Sequence, residues 1–338
     1  MSLALKLARQ GVHGVGANPM VGCVIEKSGD IIAQGYHQVF GQAHAEINAL
    51  EQINHQALGA TLYVTLEPCS HQGKTPPCAQ AIIDSGAKKV IVATLDPNPL
   101  VSGKGVSMLE SSGIEVAVGL LEDQAQQLNR GFIKRMKTGI PFVTCKIGMS
   151  LDGKTSMHSG ESKWITGVNA RADVQKLRSE HQAIMTGSGT ILTDNPLMTV
   201  RNQKLTNPPI RVVVDSKHRI MDKTLNIFSA DAPTQIFNAG NTKLDATGKI
   251  NLKDVLLQLG NQGINAVLLE AGPGLIGAMI DNNLVDEFII YSAPILMGSQ
   301  AHSMAQLPIQ NMDDKINLSI HDVRMIDQDM RITASIKS

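Results

Sequence analysis

His44 in the run His44-Ala45-Glu46, Cys69 behind Pro68, and Cys78 are the residues whose types and spacing carry chemistry. One imidazole nitrogen and two thiolates make a soft three-donor set suited to Zn²⁺, and a catalytic zinc keeps a fourth position for water at ~2 Å. Water held there ionises near neutral pH. Glu46 lies two residues past His44, poorly placed to bind the same ion but able to reach its water and carry protons. That division of labour is hydrolytic, and it would remove an amino group from a ring carbon. Eight residues, Ser-His-Gln-Gly-Lys-Thr-Pro-Pro, separate the two cysteines, where a CxxC pair is more usual. Glycine and proline make this insert a shaped loop that carries His71 and Lys74 beside the metal, either to meet an anionic substrate or as plain solvated residues. A structural zinc site would instead be closed by a fourth protein ligand.

The elements around these residues follow from patterning. A strand over 60–66 leads to Pro68-Cys69, and a helix from Cys78 to Ser85 is stopped by Gly86. Cys78 at a helix N-terminus is favoured as thiolate, because unpaired backbone NH groups concentrate positive potential there. Asn18-Pro19 leads into a buried strand, Ser28-Gly29-Asp30 turns a hairpin, and a helix over 43–52 carries the first ligand. Strands at 89–94 and a helix within 101–113 complete an alternation that predicts a three-layer α/β/α domain.

At 338 residues with 43% hydrophobic side chains, the chain is expected to hold two domains. We place them at 1–122 and 141–338, joined by a polar, basic linking helix over 123–140. Zero formal net charge and 3% aromatics give neither a basic face for phosphates nor stacking platforms for bases, so no nucleic-acid partner is expected. Cys23 and Cys145 sit in apolar strand-like runs as small buried hydrophobes, which together with metal thiolates suggests a reducing compartment. Lys6 and Arg9 interrupt the apolar N-terminal stretch, giving an amphipathic helix without a signal peptide, and no apolar run is long enough to cross a bilayer. A soluble cytoplasmic protein with no membrane partner is the expectation.

In the second half, a strand over 142–147 precedes Gly148-Met-Ser-Leu-Asp-Gly-Lys154, and a helix runs from Asn169 to about Arg178. A strand at 183–186 feeds Gly187-Ser188-Gly189-Thr190, and another at 266–270 runs into Gly272-Pro273-Gly274-Leu275-Ile276-Gly277. Glycines at GxGxxG spacing between strand and helix suit either a pyrophosphate cradle or a tight turn. Two glycine-rich strand exits in one α/β domain would lie side by side at the carboxyl edge of its sheet, where open α/β folds bind ligands. A nucleotide cofactor is the reading preferred.

Taken together, these motifs resemble the bifunctional riboflavin-biosynthesis deaminase/reductase family over nearly the whole chain. The match is carried by Asn18-Pro-x-Val-Gly-Cys, His44-Ala-Glu, Thr65-Leu-Glu-Pro-Cys-Ser-His with Gly-Lys-Thr-Pro-Pro-Cys, and Asp96-Pro-Asn-Pro. In the second half it is carried by Lys146 with Ser150-Leu-Asp-Gly-Lys, Ser162-x-Trp-Ile-Thr, Gly189-Thr with Asp194-x-Pro, and Glu270-Ala-Gly-Pro. The resemblance implies a cytidine-deaminase-like domain followed by a dihydrofolate-reductase-like domain, with Zn²⁺ and NADPH as cofactors. The substrate implied is 2,5-diamino-6-ribosylamino-4(3H)-pyrimidinone 5′-phosphate, deaminated first and then reduced from ribosyl to ribityl, by a homodimer. It puts Zn²⁺ on His44, Cys69 and Cys78, proton transfer on Glu46, and substrate contacts in the deaminase on Asn18, His71 and Lys74. Cofactor contacts are implied at Gly148, Trp164, Thr190, Asp194, Ser216, Gly272, Pro273, Gly274, Leu275, Ile276, Gly277 and Ala278. Substrate contacts in the reductase are implied at Ser162, Arg178, Met198, Arg201 and Glu270. Arg178 and Arg201 suit two-point grip of a phosphate, or are ordinary ion-pair partners, and Trp164, the single tryptophan, is alternatively a core residue. Asn195 stands where a second aspartate is frequent. Two other readings stay open: a cytidine-type or tRNA-adenosine deaminase fused to a nucleotide-binding domain, and a zinc-stabilised module that senses a nucleotide without turnover.

Overall fold

The computed structural model describes residues 1–70, 77–98 and 101–337, and the chain falls into two compact units, Met1–Gly139 and Ile140–Ser338. In the first unit α1 (Ser2–Arg9) precedes the hairpin β1 (Gly22–Lys27) and β2 (Asp30–Tyr36), and α2 (Ala45–Leu50) follows. Then come β3 (Thr61–Val64), α3 (Cys78–Asp84), β4 (Lys89–Val92), α4 (Lys104–Ser111), β5 (Glu115–Val118), α5 (Glu122–Leu128) and α6 (Arg130–Thr138). The strands form one sheet in the order β2-β1-β3-β4-β5, antiparallel across β2, β1 and β3 and parallel from β3 to β5. Strand alternation divides its two faces: Val24 packs with Ala4 and Leu7 of α1, while Cys23 and Ile25 join Ala45 and Ala49 of α2. The result is the α/β/α layering expected. Gly35 makes the close contact beneath α2 possible, since a Cβ there would lie 2.5 Å from the Ala45 carbonyl oxygen.

The stretch 123–140, expected as a single linking helix, is two helices broken at Asn129. The Asn129 side chain accepts from the Met20 N–H at 2.8 Å and donates to the Met20 carbonyl at 2.9 Å. Arg135 donates to the Ala17 carbonyl at 2.8 Å, and Ala125 is fully buried. These anchors are polar and more than a hundred residues distant in sequence, which is why no apolar stripe announced them.

The second unit begins with β6 (Phe142–Ser150), β7 (Lys154–Ser156), α7 (Val168–Glu180), β8 (Ala183–Gly187) and α8 (Ser188–Asp194). It continues through β9 (Ile210–Val214), β10 (Thr234–Phe237), α9 (Leu252–Asn261), β11 (Ala266–Leu269), α10 (Pro273–Asp281) and β12 (Glu287–Ala293). The short β13 (His302–Ser303) pairs with β7, and β14 (Leu318–Ile326) and β15 (Asp329–Ile336) close the chain. The main sheet has the order β10-β9-β8-β11-β6-β12-β15-β14, parallel from β10 to β12 and antiparallel in its last two strands. One face buries Val143, Cys145, Met185, Val267 and Leu269 with α9 and α10 residues, and the other buries Leu268, Ile289 and Tyr291 with Ala170 and Leu177 of α7. Parallel strands covered on both faces place the exits of β8, β11 and β6 along one edge, the ligand edge of such sheets.

Candidate active sites

In the first unit, His44 is the N-cap of α2 in extended conformation, and Glu46 sits in the first helical turn. Cys69 lies a few residues beyond β3, and Cys78 opens α3. His44 Nδ1 stands 3.3 Å from Cys78 Sγ and 3.6 Å from Cys69 Sγ, and all three donor atoms lie within 4.8 Å of one another. A tetrahedral zinc with bonds of about 2.0–2.3 Å calls for nitrogen–sulfur separations of about 3.5 Å, so the donors fit the ion in kind and in spacing. Among the described residues no fourth histidine, cysteine or carboxylate joins the group.

Glu46 is 2% exposed and its Oε2 has no hydrogen-bond partner. An orphaned carboxylate oxygen in a dry site is costly unless a ligand completes it. Burial, and then the negative charge of Cys69, push this carboxyl up to about 7. The hydrogen bond from the Cys78 thiol, with help from His44, holds Cys69 down to about 4, and Cys78 is pushed up by that bond and by burial. A divalent cation among the donors favours both thiolates.

Two neighbours hold this arrangement. The His37 ring meets His44 edge-on at 5.3 Å between centroids; its Nδ1 lies 3.1 Å from the Ala43 carbonyl and its Nε2 lies 3.1 Å from the Asn18 amide nitrogen. The carbonyl accepts only from a protonated Nδ1, so Nε2 accepts from Asn18, which aims the Asn18 amide. Glu67, buried two residues before Cys69, accepts from the N–H groups of Asp96, Gly103, Gly105 and Val106 at 3.1, 2.9, 2.8 and 3.3 Å. Glu67 stands in the Thr65-Leu-Glu-Pro-Cys run with no local sign of a role, because its partners lie 29 to 39 residues away and meet it only in the fold. His71 and Lys74 lie outside the described residues.

In the second unit, β8 and β11 are parallel neighbours, so the two glycine-rich exits stand together. Both begin helices directly: Gly187 caps α8 and Gly272 caps α10. A Cβ on Gly272 would lie 3.8 Å from Thr190 Oγ1, and one on Gly187 would lie 3.6 Å from Leu275. The first turn of α10, Gly272 to Leu275, therefore faces the β8 exit. Ile276 and Gly277 are turned inward, with Ile276 and Ala278 packing against the main core. Gly277 is small because the chain crosses it, a Cβ there falling 1.9 Å from the Gln306 carbonyl oxygen.

Trp164 is 68% exposed, so the alternative of a core tryptophan does not hold; the Arg171 guanidinium covers its ring at 4.4 Å. Thr166 packs against Gly148, a Cβ there lying 3.5 Å from Thr166 Cγ2. Asp194 ends α8, while Ser216 and Arg201 are exposed. Met198 is 3% exposed with its side chain in a core cluster, and Ser162 is half-buried. Arg178 is buried and binds Glu270 through two nitrogens, at 2.6 and 3.1 Å, while its third nitrogen donates to the Thr199 carbonyl at 3.0 Å. Lys146 reaches the same carboxylate at 3.0 Å. Burial alone would raise the Glu270 pKa, yet Arg178 and Lys146 hold it well below the usual carboxylate range. Arg178 is thus paired with Glu270, and Arg201 is an exposed cation near both.

The fold and the donor set define a cytidine-deaminase-like zinc hydrolase joined to an α/β reductase domain of dihydrofolate-reductase type. Residues 1–94 match the cytidine and deoxycytidylate deaminase zinc-binding region, and residues 141–332 match the RibD C-terminal domain. The chain is 44% identical to the riboflavin biosynthesis protein RibD of Haemophilus influenzae, across 100% of this chain and 96% of the relative. It is 43% identical to the Escherichia coli protein of the same name, across 98% and 96%. Among solved structures, Acinetobacter baumannii RibD superposes with a TM-score of 0.91 at 41% identity, covering 99% of this chain and 97% of that one. A diaminohydroxyphosphoribosylaminopyrimidine deaminase/5-amino-6-(5-phosphoribosylamino)uracil reductase from Thermotoga maritima gives 0.90 at 33%, covering 100% and 97%. The chain belongs to the RibD family and is a bifunctional deaminase and reductase of riboflavin biosynthesis. No helix among the described residues is long and apolar enough to cross a membrane.

Proposed function

We propose that the first unit deaminates 2,5-diamino-6-ribosylamino-4(3H)-pyrimidinone 5′-phosphate and that the second reduces the resulting ribosyl group to ribityl with NADPH. The observation that carries the deaminase assignment is the partnerless Glu46 Oε2, buried beside three convergent metal donors. Zinc held by His44, Cys69 and Cys78 supplies the Lewis acidity that activates water at neutral pH. Glu46, its carboxyl pushed up to about 7 by burial, would take one proton from the water and pass it to the ring nitrogen, then take a second from the hydroxyl added to the ring carbon and pass it to the amine, which leaves as ammonia. Asn18, with one N–H committed to His37, offers its oxygen and its other N–H to the pyrimidinone edge. His71 and Lys74 are assigned to the base and the phosphoribosyl group.

In the reductase, NADPH supplies the hydride. Gly148, Trp164, Thr190, Asp194, Ser216 and the first turn of α10 position it along the edge shared by β6, β8 and β11. Glu270, held by Lys146 and Arg178, faces the sugar together with Ser162, and Arg201 takes the substrate phosphate. Arg219, whose guanidinium donates to Ser188 Oγ at 2.9 Å beside Gly189, is assigned to the 2′-phosphate that distinguishes NADPH from NADH. We assign a homodimer to the edge strand β14, whose Leu318, Ile320, Val323 and Met325 are exposed on the face that continues the Ala334 and Ile332 row. Free cysteines in a thiolate metal site agree with the cytoplasm.

The test is incubation with the diaminopyrimidinone phosphate, with and without NADPH, following ammonia and nicotinamide absorbance separately. Ammonia is expected without NADPH, and absorbance loss only after deamination. Glu46→Gln is expected to keep its zinc and lose ammonia release; ammonia release by that variant, or equal turnover of cytidine, would reject the assignment.

A further inference from the structure

The segment 197–201, between α8 and β9, is fastened through its backbone at three points. Arg211 of β9, fully buried, donates from Nε to the Leu197 carbonyl at 2.9 Å. Arg178 of α7 donates to the Thr199 carbonyl at 3.0 Å. Gln175, one turn earlier on α7 and 8% exposed, accepts the Arg201 N–H through Oε1 at 2.9 Å. Between these points Met198 adopts a left-handed backbone with φ 50° and buries its side chain beside Ile184 and Ile191. A non-glycine residue holds that conformation only where its surroundings over-determine it. The Arg201 side chain is exposed, and the charges that act on it are those of Arg178 and Glu270.

We infer that Gln175 is a positioning residue of the reductase: by holding the Arg201 amide it aims the Arg201 guanidinium at the 5′-phosphate of the substrate. The inference rests on the reading of Arg201 as the phosphate grip. Gln175 is a buried polar side chain three residues before Arg178 and so on the same side of α7, and its acceptor oxygen is spent on the Arg201 amide. A bidentate guanidinium grip depends on the direction from which the fork arrives, so freeing the amide costs substrate affinity before it costs hydride transfer.

The test uses the full chain, saturating NADPH, and two substrates: 5-amino-6-(5-phosphoribosylamino)uracil and its dephosphorylated counterpart. Gln175→Leu is expected to raise KM for the phosphorylated substrate about tenfold, to hold kcat within about twofold, and to leave KM for the dephosphorylated one unchanged. Gln175→Glu, which keeps an acceptor oxygen, is expected to restore most of the affinity; Gln175→Met carries the same expectation as Gln175→Leu should the latter not fold. Arg201→Ala is expected to erase the preference for the phosphate. An unchanged KM in Gln175→Leu, or a kcat loss shared by both substrates, overturns the inference while Arg201→Ala still shows its effect. No effect of Arg201→Ala overturns the phosphate reading itself.

Discussion

Replacing Glu270 by glutamine keeps the side-chain shape and removes the one anion that Lys146 and Arg178 share. Glu270 and Arg178 are each 9% exposed, and the Lys146 side chain 20%, so the cations left behind cannot turn to water without moving α7 or β6. Removing one partner of a buried ion pair costs about 3–5 kcal/mol, and two stranded cations place Glu270→Gln in the upper part of that range. The double variant Arg178→Met/Glu270→Leu strands fewer charges, so its loss is expected to fall short of the sum of the Arg178→Met and Glu270→Leu losses by more than about 1 kcal/mol. Urea denaturation of the full chain, read by fluorescence of Trp164, reports the second unit specifically because it is the single tryptophan. Acid adds an independent check. The folded pKa of Glu270 is depressed, so its contribution is fully present above the unfolded value of about 4.3 and is lost as pH falls toward the folded value. The gap between wild type and Glu270→Gln should therefore narrow as pH drops below about 4.3. Strict additivity in the double variant, or a gap that is the same at neutral and acid pH, would refute the account of this cluster.

Removing zinc with a chelator is expected to abolish ammonia release while NADPH oxidation on supplied 5-amino-6-(5-phosphoribosylamino)uracil continues, since the metal donors all lie within Met1–Gly139; parallel loss of both activities would contradict this. Arg219→Ala should raise KM for NADPH by about tenfold or more and leave KM for NADH unchanged, a charged hydrogen bond contributing about 1.5–3 kcal/mol; initial rates with each cofactor decide. Glu67→Ala leaves four buried or half-buried N–H groups without their acceptor and should destabilise the first unit by more than about 3 kcal/mol, with zinc content falling in step. Far-UV circular dichroism during urea titration, with metal analysis of the folded fraction, would show a smaller loss if Glu67 were only a loop residue.

The metal centre was legible in the sequence because its donors lie in short runs whose neighbours are fixed by local structure: a helix N-cap for His44, a strand exit for Cys69, a helix start for Cys78. The pairing of the two glycine-rich exits was legible for a similar reason, since strand order follows from the α/β alternation. Side-chain partners were not. Arg178 and Glu270 meet across 92 positions, and nothing near either residue distinguishes a phosphate grip from an ion pair. Arg211 lies in an apolar strand, and nothing in its neighbours announces that it is fully buried against the carbonyls of Leu197, Ile227, Ser229 and Ala232. The strand β5 escaped the pattern because it is only four residues long, Glu115-Val-Ala-Val118, too short a run to show alternation.

Asn129 grips both backbone groups of Met20, two residues past Asn18, and Arg135 holds the Ala17 carbonyl. What looks like a spacer is therefore a buttress for the loop that leads into β1. Anyone dividing this chain to study the two reactions apart should cut after Gly139, because a scissor placed at 122 would remove the clasp and leave residues 17–20 without these anchors. The same clasp limits how freely such a deaminase can be regrafted onto other partner domains: the graft must carry its own tail.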